Sequence, residues 1–194
     1  MIKRPQRNLL IILSACAVLW LVLLRLPGFM SLWVSVALFV FVIGLVSWSR
    51  DFMVGRFRTS RRQWRQAAER FEKFERKLVS ARWSAVLIPI YLSIYTFDGV
   101  AVARNNIAQS LMNLKEFDAA VRWLRGALQR DPLYAIPYVN LGTIAALRGD
   151  GETARLEFRR AVELGFSPTA AQDLLRRALA KGNRAIGKAH DRDE

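Results

Sequence analysis

The strings Asn113-Leu114-Lys115-Glu116-Phe117-Asp118-Ala119-Ala120 and Leu147-Arg148-Gly149-Asp150-Gly151-Glu152-Thr153-Ala154 are one pattern written twice. They lie about 34 residues apart, the period of a helix-turn-helix solenoid repeat. That period restricts the C-terminal half to antiparallel helix pairs stacked on one another, because a single pair cannot bury its own apolar face. Upstream lie two apolar runs, each near the roughly 20 residues that span about 30 Å of hydrocarbon. The expected class is all-α: an N-terminal two-helix transmembrane hairpin followed by an α-solenoid of about two helix pairs and a capping helix. The expected division is a hairpin over 1–49 with spans at about 9–26 and 29–48, a basic amphipathic helix and apolar helical connector over 50–100, the repeats with their capping helix over 101–187, and a polar tail over 188–194.

The chain of 194 residues carries a formal charge of +14, with a pI near 11.1. Chains this basic meet nucleic acid, anionic lipid or acidic partners. Lys3, Arg4 and Arg7 precede the apolar runs and Arg50, Arg56, Arg58, Arg61, Arg62 and Arg65 follow them, with only Arg25 in the Pro27-Gly28 turn between. By the positive-inside rule this places both chain ends in the cytoplasm, and the expected location is an inner membrane of bacterial type with the repeats cytoplasmic. The rival reading of the N-terminus is a secretory signal ending in a lipoprotein-like box at Leu13 to Cys16, but another long apolar run follows where a polar tether would be needed. Cys16 has no second cysteine to pair with, and His190 lies in the polar tail.

Phe57, Trp64, Phe71, Phe74 and Leu78 recur at helical spacing among Arg61, Arg62, Arg65, Lys73, Arg76 and Lys77, which predicts an amphipathic helix. Arg56, Arg58, Arg61, Arg62 and Arg65 are candidate contacts to a membrane surface. The competing expectation is that the aromatic stripe packs on the first repeat, since Glu69, Glu72 and Glu75 dilute the positive charge. Trp83 to Ala103 is apolar but interrupted by Pro89, Asp98 and Gly99, and is read as a buried helix in preference to a third membrane crossing.

In the repeat from Ala101 to Tyr134, Ala108, Ala120 and Ala127 let paired helices approach closely, Ile107, Leu111 and Leu124 fill between them, and Pro132 ends the second helix. From Ala135 the matching positions are Tyr138, Leu141, Gly142, Ala145, Ala154, Phe158 and Ala161, with Pro168 closing the unit slightly late. This pattern resembles the tetratricopeptide repeat family, whose consensus places an aromatic, Leu-Gly, a small residue, Ala, an aromatic and Ala at those positions. The first repeat departs from it at Arg104, where the aromatic would stand, at Ala108, where glycine is common, and at Leu124. Thr169 to Ala185, with Leu174, Leu175, Ala178 and Leu179 on one face, looks like the capping helix of such a stack. Two repeats fall short of the three or so needed for stability, so Phe57 to Phe97 is expected to supply further packing.

The resemblance implies a concave groove lined by the first helix of each repeat, which seats a peptide or helix of another protein. By register its residues are Val102, Asn105, Asn106, Gln109, Met112 and Asn113, then Ile136, Val139, Asn140, Thr143 and Leu147. A carboxylate clamp known in the family matches here only at Asn140, so an apolar peptide or helix suits the groove better.

No nucleophile with a base, no carboxylate pair in a shared pocket, no metal-ligand spacing and no phosphate-binding glycine loop stands out in the sequence. The expectation is therefore a non-enzymatic, membrane-anchored scaffold that recruits or organises partner proteins, in an assembly, secretion or envelope system, with no cofactor, metal or small-molecule substrate. Expected contacts are proteins in the groove, membrane lipid and other transmembrane helices. The alternative is a membrane-complex subunit acting through its hairpin, where Ser14 to Ala17 form a small-residue patch. Nucleic acid is not expected, since the basic stretch lacks both stacking platforms and a DNA-reading motif.

Overall fold

The structure, a computed structural model, describes residues 28–81 and 95–193, together with Ser14, Val18 and Leu21. Among the described residues all regular structure is helical: α1 (Gly28–Trp48), α2 (Arg50–Ser60), α3 (Trp64–Ser80), α4 (Gly99–Asn113), α5 (Phe117–Arg130), α6 (Ala135–Leu147), α7 (Gly151–Glu163) and α8 (Pro168–Asp193). After α1 the helices pair as α2–α3, α4–α5 and α6–α7, each pair packs on the next, and α8 closes against α6 and α7. That order is compatible with an α-solenoid.

Side-chain caps mark where helices begin: Asp98 accepts from the Ala101 amide at 2.9 Å to start α4, and Asp150 accepts from Thr153 at 2.9 Å to start α7. Each such bond satisfies one of the amides left unpaired in a first turn.

The sequence expectation of one amphipathic helix through Phe57 and Trp64 is corrected, because the chain turns at Arg61-Arg62-Gln63, with Arg62 at φ 59°. The two helices on either side form a pair built to the plan of the repeats. Gly55, Ala108 and Gly142 are each followed seven residues on by a left-handed turn residue, namely Arg62, Lys115 (φ 63°) and Gly149 (φ 85°). The same closing bond recurs in each turn: Gln63 amide to Arg58 carbonyl at 2.9 Å, Glu116 to Leu111 at 3.0 Å, and Asp150 to Ala145 at 3.0 Å. Twelve residues after the small residue stand Ala67, Ala120 and Ala154, each fully buried, and sixteen after it stand Phe71, Leu124 and Phe158, all at most 3 % exposed. A Cβ on Gly55 would meet the Phe71 ring at 2.7 Å, as one on Gly142 would meet the Phe158 ring at 2.7 Å. The helices thus close on each other over a glycine in both pairs. The extra packing that two repeats require comes from this third pair, through Phe52, Phe71, Phe74 and Leu78, which share one core with Val100, Ile107, Leu111 and Leu124.

The two-helix transmembrane hairpin is also corrected: among the described residues no helix is long and apolar enough to cross a membrane. The integral-membrane location falls with it. Crossing about 30 Å of hydrocarbon takes roughly 20 consecutive apolar residues. The apolar run of α1 ends at Trp48. The run leads into Ser49, 1 % exposed at the start of α2, and into Asp51, whose carboxylate binds Arg70 and Lys77 of α3, so this end is fastened to the helical stack. Trp33 and Phe39 of α1 are 70 % and 66 % exposed. The expected span at 9–26, apart from Ser14, Val18 and Leu21, lies outside the described residues, as do Cys16 and 82–94 of the ambiguous apolar stretch.

Candidate partner-binding groove

The first helices α4 and α6 lie side by side and are joined by a hydrogen bond from Asn140 Nδ2 to Asn105 Oδ1 at 2.9 Å. That bond decides the roles of the expected groove residues. Asn105 is 5 % exposed, and Val102 and Val139 are 2 % and 6 % exposed, so these three form the seam between the helices. Asn140 is half-buried beside it, with its amide group committed to Asn105. What remains at the surface is a strip: Gln109 and Asn113 exposed, and Asn106, Met112, Ile136, Thr143 and Leu147 half-buried.

Several polar groups of the strip cap their own helix. Asn106 Nδ2 donates to the Val102 carbonyl at 2.8 Å, Asn113 Nδ2 to Gln109 at 2.8 Å, and Thr143 Oγ1 to Val139 at 2.8 Å. Each bond uses one donor, so the asparagines keep a second N–H and a carbonyl oxygen for a partner. Met112 and Ile136 border the main core and offer apolar contact along the strip.

The five expected surface arginines are used in different ways. Arg65 pairs with Glu116 and so ties α3 to the start of α5, Arg58 donates to Gln66 Oε1, and Arg61 lies over the Phe57 ring at 4.3 Å. Arg62 holds the left-handed turn, and Arg56 is exposed on α2. None of these placements is specific to a lipid surface.

Sequence reading missed Arg104 as an organising residue. Its Nε and Nη2 both meet Glu75 Oε1 at 2.9 Å, and its Nη1 donates to the Gly126 carbonyl at 3.0 Å, so one guanidinium connects α3, α4 and α5. Its departure from the repeat consensus was the available signal. Arg148 likewise bridges to Asp118 at 2.7 Å between neighbouring pairs. No group of three metal-ligating side chains lies together among the described residues.

Helix pairs of this kind, stacked with a terminal helix on the last, define the α-solenoid class of interaction modules. Within it, residues 100–130 match the tetratricopeptide repeat family model, and the match covers α4 and α5. The chain therefore carries a tetratricopeptide repeat, a module that generally mediates contact between proteins. No curated protein matches the chain.

Proposed function

We propose that the protein is a scaffold that seats a helix or apolar peptide of a partner protein along the strip formed by α4 and α6, and thereby recruits or organises that partner. The observation that supports this reading is the Asn105–Asn140 hydrogen bond, which joins the two first helices, with Gln109 exposed and Met112, Ile136 and Leu147 half-buried beside it. A groove of mixed apolar and amide character binds through helix-in-groove contacts more readily than through capture of a single charge.

The test is in-cell photocrosslinking from Gln109, with Arg122 on the outer face of α5 as the control position. A partner captured from Gln109 and lost on Met112→Glu supports the groove. Identical capture from Arg122 excludes it.

A further inference from the structure

A cleft that shares no residue with the groove strip lies at the C-terminal end of the stack. It opens between α7 and α8 and has a volume of about 240 Å³. Phe158 and Val162 from α7 and Ala171 and Leu175 from α8 form its apolar floor, and Arg155 and Arg159 stand beside it. Both arginines are exposed, and neither has an ion-pair partner among the described residues.

The repeat period shows what this shape accommodates. One repeat earlier, about 34 residues back, the same positions are Leu124 for Phe158, Leu141 for Leu175 and Arg125 for Arg159. There the next helix is present: α7 lies along α6, buries Phe158 and Ala161, and carries Glu157, which pairs with Arg160 at 3.5 Å and is attracted by Arg125 as well. At the α7–α8 cleft no helix among the described residues takes that place. The occupied site therefore defines the empty one: a helix with small and aromatic residues on its inner face and a carboxylate opposite the arginine.

We propose that the α7–α8 cleft docks an acidic amphipathic helix of a partner protein, which extends the stack by one helix and neutralises Arg155 and Arg159. This goes beyond the groove reading and does not depend on it.

The probe is a fluorescein-labelled helical peptide carrying the Ala154, Phe158 and Ala161 stripe of α7 with glutamates on both flanks. Its binding to the full chain is read by fluorescence anisotropy beside a version with lysine flanks. The expected result is binding at least about tenfold tighter for the acidic peptide, weakened about tenfold or more by Arg155→Glu with Arg159→Glu and unaffected by Arg122→Glu. Both arginines are exposed, so the double variant keeps its fold, which circular dichroism verifies. Equal binding of both peptides, no binding, or equal losses from R122E and from the cleft variants would overturn the proposal. So would sedimentation showing that the cleft is filled by a second copy of the chain.

Discussion

Replacing Arg104 tests whether the third helix pair is fastened to the repeats by a buried ion pair. The Glu75 side chain is 11 % exposed and that of Arg104 23 %, so both charges have lost most of their water. Arg104→Met would leave the Glu75 carboxylate buried without its partner, at a cost of about 3–5 kcal/mol. It would also strip the Gly126 carbonyl of its donor, worth about 1 kcal/mol. Together these amount to about 4–6 kcal/mol, which for a chain of this size corresponds to a fall in Tm of roughly 8–24 °C. Glu75→Leu with Arg104→Met removes both charges and fills the site with apolar volume, and should lie within about 1.5 kcal/mol of the parent. The assay is urea unfolding followed by far-ultraviolet circular dichroism, with both single variants and the double variant forming a cycle. If Arg104→Met lost less than about 1 kcal/mol, or the double variant lost as much as the two singles added, Arg104 would not be compensating a buried charge, and the account of α3–α4 docking would be wrong.

Gly55→Ala and Gly142→Ala each place a Cβ against a phenyl ring and should cost about 1–3 kcal/mol, whereas Gly44→Ala, with open space around it, should be neutral or gain up to about 1 kcal/mol; equal effects at the three positions in thermal unfolding would refute the close-packed pairs. Gly182→Ala forces a Cβ onto the Ala146 carbonyl and should release α8 from α6, seen as faster amide exchange in α8 while α4 stays protected. Two carboxylates set opposite pH trends. Desolvation pushes Asp51 up but hydrogen bonds and attraction from Lys77 and Arg70 outweigh it, so its pKa lies below the ordinary 3.8; its stabilising effect is complete above that value and lost as pH falls through the lower folded value, and Asp51→Asn should remove this part of the acid unfolding. Burial raises Glu157 above 4.5 against the pull of Arg160 and Arg125, so its charge destabilises the fold at neutral pH; Glu157→Gln should be more stable than the parent at pH 7, with the difference vanishing below about pH 4.5.

The repeats were legible because their signal is local. Gly142, Ala154 and Phe158 lie within one pair, and the period alone puts them in contact. The groove was legible only as a list of faces, since positions at the right helical angle divide into seam and surface according to how closely α4 and α6 approach. Asn105 and Gln109 look equivalent in sequence, yet one is sealed by Asn140 and the other is exposed.

Why α2–α3 escaped notice, although it is built on the same contacts, follows from which positions the plan constrains. The spacing Gly55–Ala67–Phe71 repeats Gly142–Ala154–Phe158 residue for residue, and Arg62 does the work of Gly149 in the turn. What differs lies outside that frame. Phe74 replaces the alanine late in the second helix, and Asp51 stands where an aromatic is expected, so the pair lacks one of the small residues and one of the rings that mark the family. Each substitution is explained by a neighbour that the repeats do not have. Asp51 binds Arg70 and Lys77 within the pair, and Phe74 packs on Phe52 at 5.3 Å in a core that no preceding pair closes among the described residues. Glu75 then finds Arg104, the one residue of the first repeat that most departs from its consensus. The two anomalies are one interaction: a pair at the start of a stack has an outer face to finish and an inner face to attach, and both tasks change residues at the positions by which a repeat is recognised.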